Sequence, residues 1–359
     1  MQSAHLVHNS RVARFEIDTD YLVRFLVDLL NTPSPTGDTE WAVSFVEQEL
    51  QSFGVLTDHT RKGALIATIP GLRDDAPRAL SAHVDTLGAM VAEIKHSGRL
   101  RLTALNGVMW PTVESEGVWI QTKAGRQIRG SIVLHNGAAH VNRDGIKHVR
   151  DADNLEVRID ERTTTEEETK LLGIEVGDFV AFDPRPEVSD SGFVRSRFLD
   201  DKACVACAVA AIKALVDSSF TPAQRTTFQF SNFEEVGHGG PDGIPADITE
   251  LVVLDMAALG KGLQGDEYHC SVCVKDSSGP YSKRLTQHLR DIAEKTGIDL
   301  KPDIYPYYGS DGSAYWRAGG TAEVALIGPG VDTSHGYERT HKDALHDTAL
   351  LIAEYMAED

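Results

Sequence analysis

Helix-length and strand-length patterns alternate at both ends of this chain, but not across residues 89–190 between them. Residues 20–31 carry apolar side chains at helical spacing. A second helix is predicted over 38–53, with Thr36 or Asp38 as its cap and Gly54 as its stop. Residues 65–69 and 79–83 read as strands. After Asp200 the alternation resumes with helix 202–216, strands 226–233 and 251–255, helix 281–296, strand 322–327 and helix 343–356. This pattern predicts an α/β domain whose sheet is sandwiched between helices. Residues 89–190 instead hold short β runs at 91–94, 100–103, 117–122, 131–134, 155–159 and 179–182. Gly, Asn and Asp punctuate these runs, and one helix is predicted within 161–172. The expectation is a small inserted β-barrel-like domain, 89–190, within a discontinuous domain of residues 1–88 and 191–359. A chain of 359 residues accommodates both.

Charge narrows the choice of partner. The chain has 54 acidic and 35 basic residues, a net charge of -19. Phosphate backbones and anionic membranes require clustered Lys and Arg, so neither nucleic acid nor membrane is an expected partner. No apolar run reaches the ~18 residues of a membrane span. The opening Met1-Gln-Ser-Ala-His-Leu-Val-His lacks the basic and apolar regions of a secretion signal. The expected location is the cytoplasm.

Four cysteines form two CxxC pairs, Cys204/Cys207 and Cys270/Cys273. Such spacing is nominally a zinc signal. The first pair lies in a helix of small apolar residues. The second lies in a strand, where residues three apart face opposite sides. Neither pair sits on a Gly- or Pro-containing turn, so all four are read as core thiols.

Polar residues follow several of the strands. They are His83-Val-Asp85, Asp200-Asp201, Glu234-Glu235, Asp255 and His335. In open α/β sheets, ligands collect beyond the carboxyl ends of the strands. Histidine with carboxylates suits zinc or another divalent metal. In His83-Val-Asp85 the second carboxylate can fix the imidazole tautomer, although an isolated HxD is more often a surface histidine. Asp200-Asp201 reads equally well as a helix cap or as a carboxylate bridging two metals. Glu234-Glu235 follows the alternating strand Thr226-Thr-Phe-Gln-Phe230. One glutamate can bind metal while the other takes a proton from water, provided that Gly237, Gly239 and Gly240 allow the turn that splays them. His335, His341 and His346 compete for one late ligand position.

In this order, HxDxxG, DD(R/K), EEVG, a strand-terminal Asp and a late His, the motifs resemble the M42 family of glutamyl or tetrahedral aminopeptidases. The resemblance spans nearly the whole chain and includes the β insertion after the first motif. It implies a zinc-peptidase-like catalytic domain and two divalent metal ions, with zinc first and cobalt or manganese also suited to these ligands. His83, Asp200 and Asp255 are then metal ligands, with Asp200 bridging, and Glu235 and His335 hold the second metal. Glu234 becomes the general base and Asp85 the residue that orients His83. His335 is preferred because it comes about ten residues after the start of the Ala325 strand, the family's spacing. The segment Asp332-Thr-Ser-His-Gly-Tyr-Glu-Arg-Thr-His341 departs from the family's Arg-Tyr-x-His-Ser-Pro-x-Glu. It looks like a subgroup associated with the osmoprotectant N-acetylglutaminylglutamine amide. Ser310-Asp-Gly-Ser313 stands where the family has a Thr-Asp-Ala-like turn.

The expected function is hydrolysis of N-terminal residues from peptides. One alternative is an amidase or deacylase acting on an N-acyl amino acid or a small modified dipeptide. Another is a non-catalytic binding or assembly module on the same fold. The resemblance also implies a homo-oligomer, from dimer to dodecamer, assembled through the inserted domain.

Overall fold

The computed structural model describes residues 13–359. The opening stretch read as lacking a secretion signal lies outside them. Two helices come first, α1 (Thr19–Leu30) and α2 (Glu40–Ser52), then strands β1 (Leu56–His59), β2 (Leu65–Ile69) and β3 (Arg73–His83). Six short strands follow: β4 (Gly88–Ile94), β5 (Leu100–Leu105), β6 (Gly117–Gln121), β7 (Gln127–Leu134), β8 (Leu155–Ile159) and β9 (Phe179–Phe182). Helix α3 (Glu166–Leu171) lies between the last two. Then come β10 (Glu187–Val188), β11 (Phe193–Ser196), α4 (Leu199–Asp217), β12 (Gln224–Ser231), β13 (Glu250–Leu254) and β14 (Ala257–Ala258). The chain continues through β15 (Cys270–Asp276), β16 (Gly279–Pro280), α5 (Lys283–Thr296), β17 (Lys301–Ile304) and α6 (Asp311–Arg317). It finishes with β18 (Glu323–Val331), β19 (Glu338–His341) and α7 (Lys342–Ala357).

The large sheet runs β1-β2-β12-β3-β13-β18-β15-β16. Its centre, β12, β3, β13 and β18, is parallel. These strands are buried on both faces, which explains their nearly unbroken apolar sequences. Alternate side chains serve opposite layers. Leu80, Val252 and Ile327 pack with α1, α4, α5 and α7 on one face. Ala79, Val253 and Leu326 pack with Tyr281, Tyr305 and Tyr315 of α6's side on the other. The sheet thus lies between helices, with the thicker layer on the α4 face. Cys270 belongs to the first layer and Cys273 to the second. All four cysteines are buried and unbridged. Among the described residues no helix is long and apolar enough to cross a membrane.

Strands β4 to β9 close into a barrel in the order β4-β5-β8-β7-β6-β9. Val91, Leu100, Val118, Ile120, Val157 and Val180 fill it. Closure brings Ala89 opposite Val180. The chain then leaves the barrel: β10 pairs with β11, and β11 pairs with β19.

Several local expectations need correction. The barrel helix occupies only Glu166–Leu171, because the Thr165 side chain accepts the N–H of Glu168 and caps it late. Helix α2 starts after Thr39, and neither Thr36 nor Asp38 is its cap. Strand β12 stops at Ser231, which leaves Glu234 and Glu235 in a turn.

Candidate metal centre

The parallel strands β3, β12, β13 and β18 end on the same edge of the sheet, and four of the five polar clusters emerge there. His83 closes β3, the two glutamates follow β12, Asp255 follows β13, and His335 lies between β18 and β19. Asp200 and Asp201 open α4 from the neighbouring side. Their backbone is not helical, with ψ 102° at Asp200 and φ -121° at Asp201, so regular helix begins at Lys202. The pair is therefore not a simple helix cap. The buried Lys202 amine donates to Leu29 O (3.0 Å) and Thr32 O (2.6 Å), closing the end of α1. Burial lowers its pKa to about 7.

The two oxygens of Asp200 face two imidazoles. Oδ1 lies 3.2 Å from His83 Nε2, and Oδ2 lies 3.5 Å from His335 Nε2. Glu234 Oε2 is 3.8 Å from His83 Nε2, and Glu235 Oε2 is 3.8 Å from His335 Nε2. Donor atoms fall into two groups, each spanning no more than 4.8 Å. One is His83, Asp201 and Asp255, and the other is Asp200, Glu235 and His335.

Asp85 does more than the sequence suggested. His83 Nδ1 meets the Asp85 backbone carbonyl at 2.9 Å, closer than its carboxylate at 3.5 Å. That contact places the ring proton on Nδ1 and aims the Nε2 lone pair into the site. The carboxylate itself accepts the N–H groups of Glu234 (3.1 Å) and Glu235 (3.2 Å) and the hydroxyl of Thr36 (2.7 Å). Asp85 thus holds the turn that splays the two glutamates. Gly237 completes this turn at φ +82°. A side chain at Gly240 would strike the Asp311 carbonyl at 2.0 Å, so this glycine lets α6 approach.

The barrel reaches into the site as well. Asn106 donates to Glu235 O (2.5 Å), and His335 Nδ1 meets Gly107 O (3.2 Å). The buried Arg197 bonds Glu116 of the barrel (2.6 Å) and Gly336 O (3.1 Å).

The donor set fits divalent cations. Asp200, Asp201, Glu235 and Asp255 are all buried, and Asp201 Oδ1 has no hydrogen-bond partner. Burying adjacent carboxylates without a cation is costly. The pKa values reflect that crowding. Burial, with Asp200 beside it, lifts Asp255 to about 8. Burial raises Glu234 well above the usual carboxylate range; His83 draws it back, and Asp255, Asp311 and Glu235 push it further up. Glu235 and Asp201 rise for the same first reason. The Asp200 hydrogen bond raises His335 to about 9. His83 is raised because its bonds to Asp200 and Asp85 outweigh its burial. Burial opposes ionisation of Asp200, yet His335 and His83 hold it well below the usual range.

A cavity of about 510 Å³ opens over Glu234 and Asp255, walled by Met109, Tyr307, Tyr308 and Arg317. Glu234 lines it with 16% of its side chain exposed, compared with 5% for Glu235.

Neither competing histidine approaches this site. His341 caps α7, accepting the Asp343 N–H at Nδ1 (3.2 Å) and meeting Ser191 O at Nε2 (2.8 Å). His346 lies on α7 against Asp347 (3.1 Å). His341→Ala is therefore expected to leave metal content and kcat within about twofold. It should cost about 1 kcal/mol of stability through the lost cap. Metal analysis and denaturant titration check this, and a metal-depleted variant would contradict it.

Sequence reasoning placed Asp201 in the Asp200-Asp201 cluster without a role of its own, noted Asp311 only as part of the Ser310–Ser313 turn, and gave Thr36 no part in this centre; the buried Asp311 Oδ1 is also unpartnered. Adjacency to Asp200 was the available signal for Asp201. Thr36 gave only a misleading one, that of a helix cap.

A family profile described as M42 glutamyl aminopeptidase matches residues 63–351. The aminopeptidase-named protein YhfE of Bacillus subtilis (strain 168) is 45% identical over 334 residues, covering 93% of this chain and 96% of that protein. A TET aminopeptidase from the marine sediment archaeon Thaumarchaeota archaeon SCGC AB-539-E09 superposes with a TM-score of 0.85 at 17% identity, covering 94% and 97% of the two chains. The TET1 peptidase of Pyrococcus horikoshii does so with a TM-score of 0.82 at 24% identity, covering 94% and 100%.

Proposed function

Because this chain belongs to the M42 glutamyl aminopeptidase family of metal-dependent peptide hydrolases, we propose that it removes N-terminal residues from peptides at a two-metal centre. The observation that carries this reading is the Asp200 carboxylate, with one oxygen toward each imidazole, grouped with Glu235 and His335 and adjoining the donor group of His83, Asp201 and Asp255. His83, Asp255 and Asp201 would hold or adjoin one ion, Glu235 and His335 the other, and Asp200 both. Zinc is the proposed metal, with cobalt and manganese as substitutes. When bound, such ions lower the pKa of water toward ~7 and polarise the scissile carbonyl.

The chain's own groups supply the rest. Glu234, on the cavity wall, takes the proton of the attacking water and delivers it to the departing amine nitrogen. Asp85 holds Glu234 and Glu235 through their N–H groups and fixes the His83 ring through its own carbonyl. The acidic wall receives the substrate's α-ammonium group.

Assembly through the barrel is part of the proposal. It is supported by the Pyrococcus horikoshii peptidase, described as forming a tetrahedron or a large octahedral shell.

The test is metal-free protein reloaded with zinc, cobalt or manganese and given matched aminoacyl and N-acyl amides. Turnover of free-amine substrates alone is expected. Turnover confined to N-acyl substrates would replace the aminopeptidase with a deacylase.

A further inference from the structure

Glu338 is buried, 2% exposed, and has no Lys or Arg partner among the described residues. A lone buried carboxylate is costly unless its oxygens are well satisfied. Here each oxygen accepts one main-chain N–H, and the two donors belong to proposed metal ligands far apart in sequence. Oε2 accepts from Asp200 N (3.1 Å) and Oε1 from His335 N (3.0 Å). Both segments need such a hold. His335 lies at φ +65°, and Phe198, two residues before Asp200, at φ +69°. Non-glycine residues adopt this region uncommonly and at some cost in strain, which surrounding contacts offset. The small β10-β11-β19 sheet delivers the clamp, since β19 pairs with β11 and sets Glu338 opposite Ser196. The Ser334 hydroxyl adds a direct bond to Asp200 Oδ2 (3.0 Å).

We propose that Glu338 is a positioning residue that sets the separation of Asp200 and His335, and so the affinity of the ion held by Asp200, Glu235 and His335. This rests on the two-metal reading above. Glu338 touches neither substrate nor metal. It acts by tying the backbones of two ligands to one rigid group, as outer-shell partners of metal ligands do. Glu338→Gln keeps the shape but retains one acceptor only. Its amide nitrogen must then oppose the N–H of Asp200 or His335.

The experiment is metal uptake by metal-free wild-type and Glu338→Gln protein, followed by calorimetric titration and elemental analysis. Thermal melting runs alongside with and without metal. The expected result is one site of wild-type affinity and one weakened about 10–100-fold. The metal-free melting temperature should fall by the cost of one unsatisfied buried N–H, and the metal-induced increase should shrink as well. Activity should recover when metal is raised. A variant with both wild-type metal affinities would overturn the proposal, and so would one whose only change was a lower metal-free melting temperature. If Glu338→Gln is recovered only as aggregate, Glu338→Asp, retracted by one methylene, gives the same comparison. Wild-type protein that took up no metal would overturn the two-metal reading, and this role with it. Two wild-type ions with an unchanged variant would remove only the role of Glu338.

Discussion

Glu234→Gln is expected to bind its metals like the wild type and to lose hydrolysis by about 10²–10⁴-fold in kcat, the range of a positioned acid–base group. The amide matches the carboxylate in size and cannot accept a proton. Little else should change. The turn carrying residue 234 is held by Asp85 through backbone N–H groups, which the substitution leaves intact. Glu234 also stands apart from its neighbour in placement. Its Oε2 lies 3.8 Å from His83 Nε2 and its side chain is the more exposed of the two glutamates that line the cavity, whereas Glu235 is more deeply buried and lies 3.8 Å from His335 Nε2. Glu235→Gln should therefore show the converse, with metal lost first and turnover failing as a result. Metal analysis beside kcat measurements separates the two. A fully active Glu234→Gln protein would mean that some other group moves the proton.

Removing the metals should destabilise the protein, and more so as the solution becomes alkaline. Asp255 titrates near 8 in the folded chain because of its burial and the proximity of Asp200, and Glu234, Glu235 and Asp201 are also raised. In an unfolded chain such groups titrate near 4. Between those values the folded protein keeps protons that the unfolded chain has released, so stability falls as pH rises. His83 and His335, raised above the ordinary histidine value, act in the same direction. Asp200 acts oppositely, but well below this range. Each proton released costs roughly 1 kcal/mol per pH unit. Chelated protein should therefore lose several degrees of melting temperature between pH 6 and pH 9. Metal-loaded protein should not, because binding requires the same groups deprotonated and strengthens with pH. Calorimetry across that range checks both, and parallel curves with and without chelator would refute the argument.

The strand-length apolar runs of Leu65–Ile69, Thr226–Phe230 and Leu251–Leu254, and the polar residues just beyond them, were enough to place a sheet and gather a candidate site at its edge. The short β runs between residues 89 and 190 likewise foretold a separate β unit, because they are strand-length and punctuated by Gly, Asn and Asp. What escaped was non-local. Strands β11 and β19 are four residues each and gain their identity only from pairing across more than a hundred residues of chain. Thr36 reads locally as a helix cap, but its hydroxyl belongs to Asp85. Local sequence could not choose between His335 and His341, since tertiary structure turns one toward Asp200 and uses the other to start α7.

The loop at Asn106 and Gly107 makes the insertion a working part of the catalytic half. Excising the barrel to obtain a minimal enzyme would leave the Glu235 carbonyl without its Asn106 donor and the His335 ring without its Gly107 contact. Grafting a foreign barrel would succeed only if that two-residue fingertip were rebuilt. Mutations that reshape the junction around Glu116 and Arg197 should accordingly be felt as changes in chemistry.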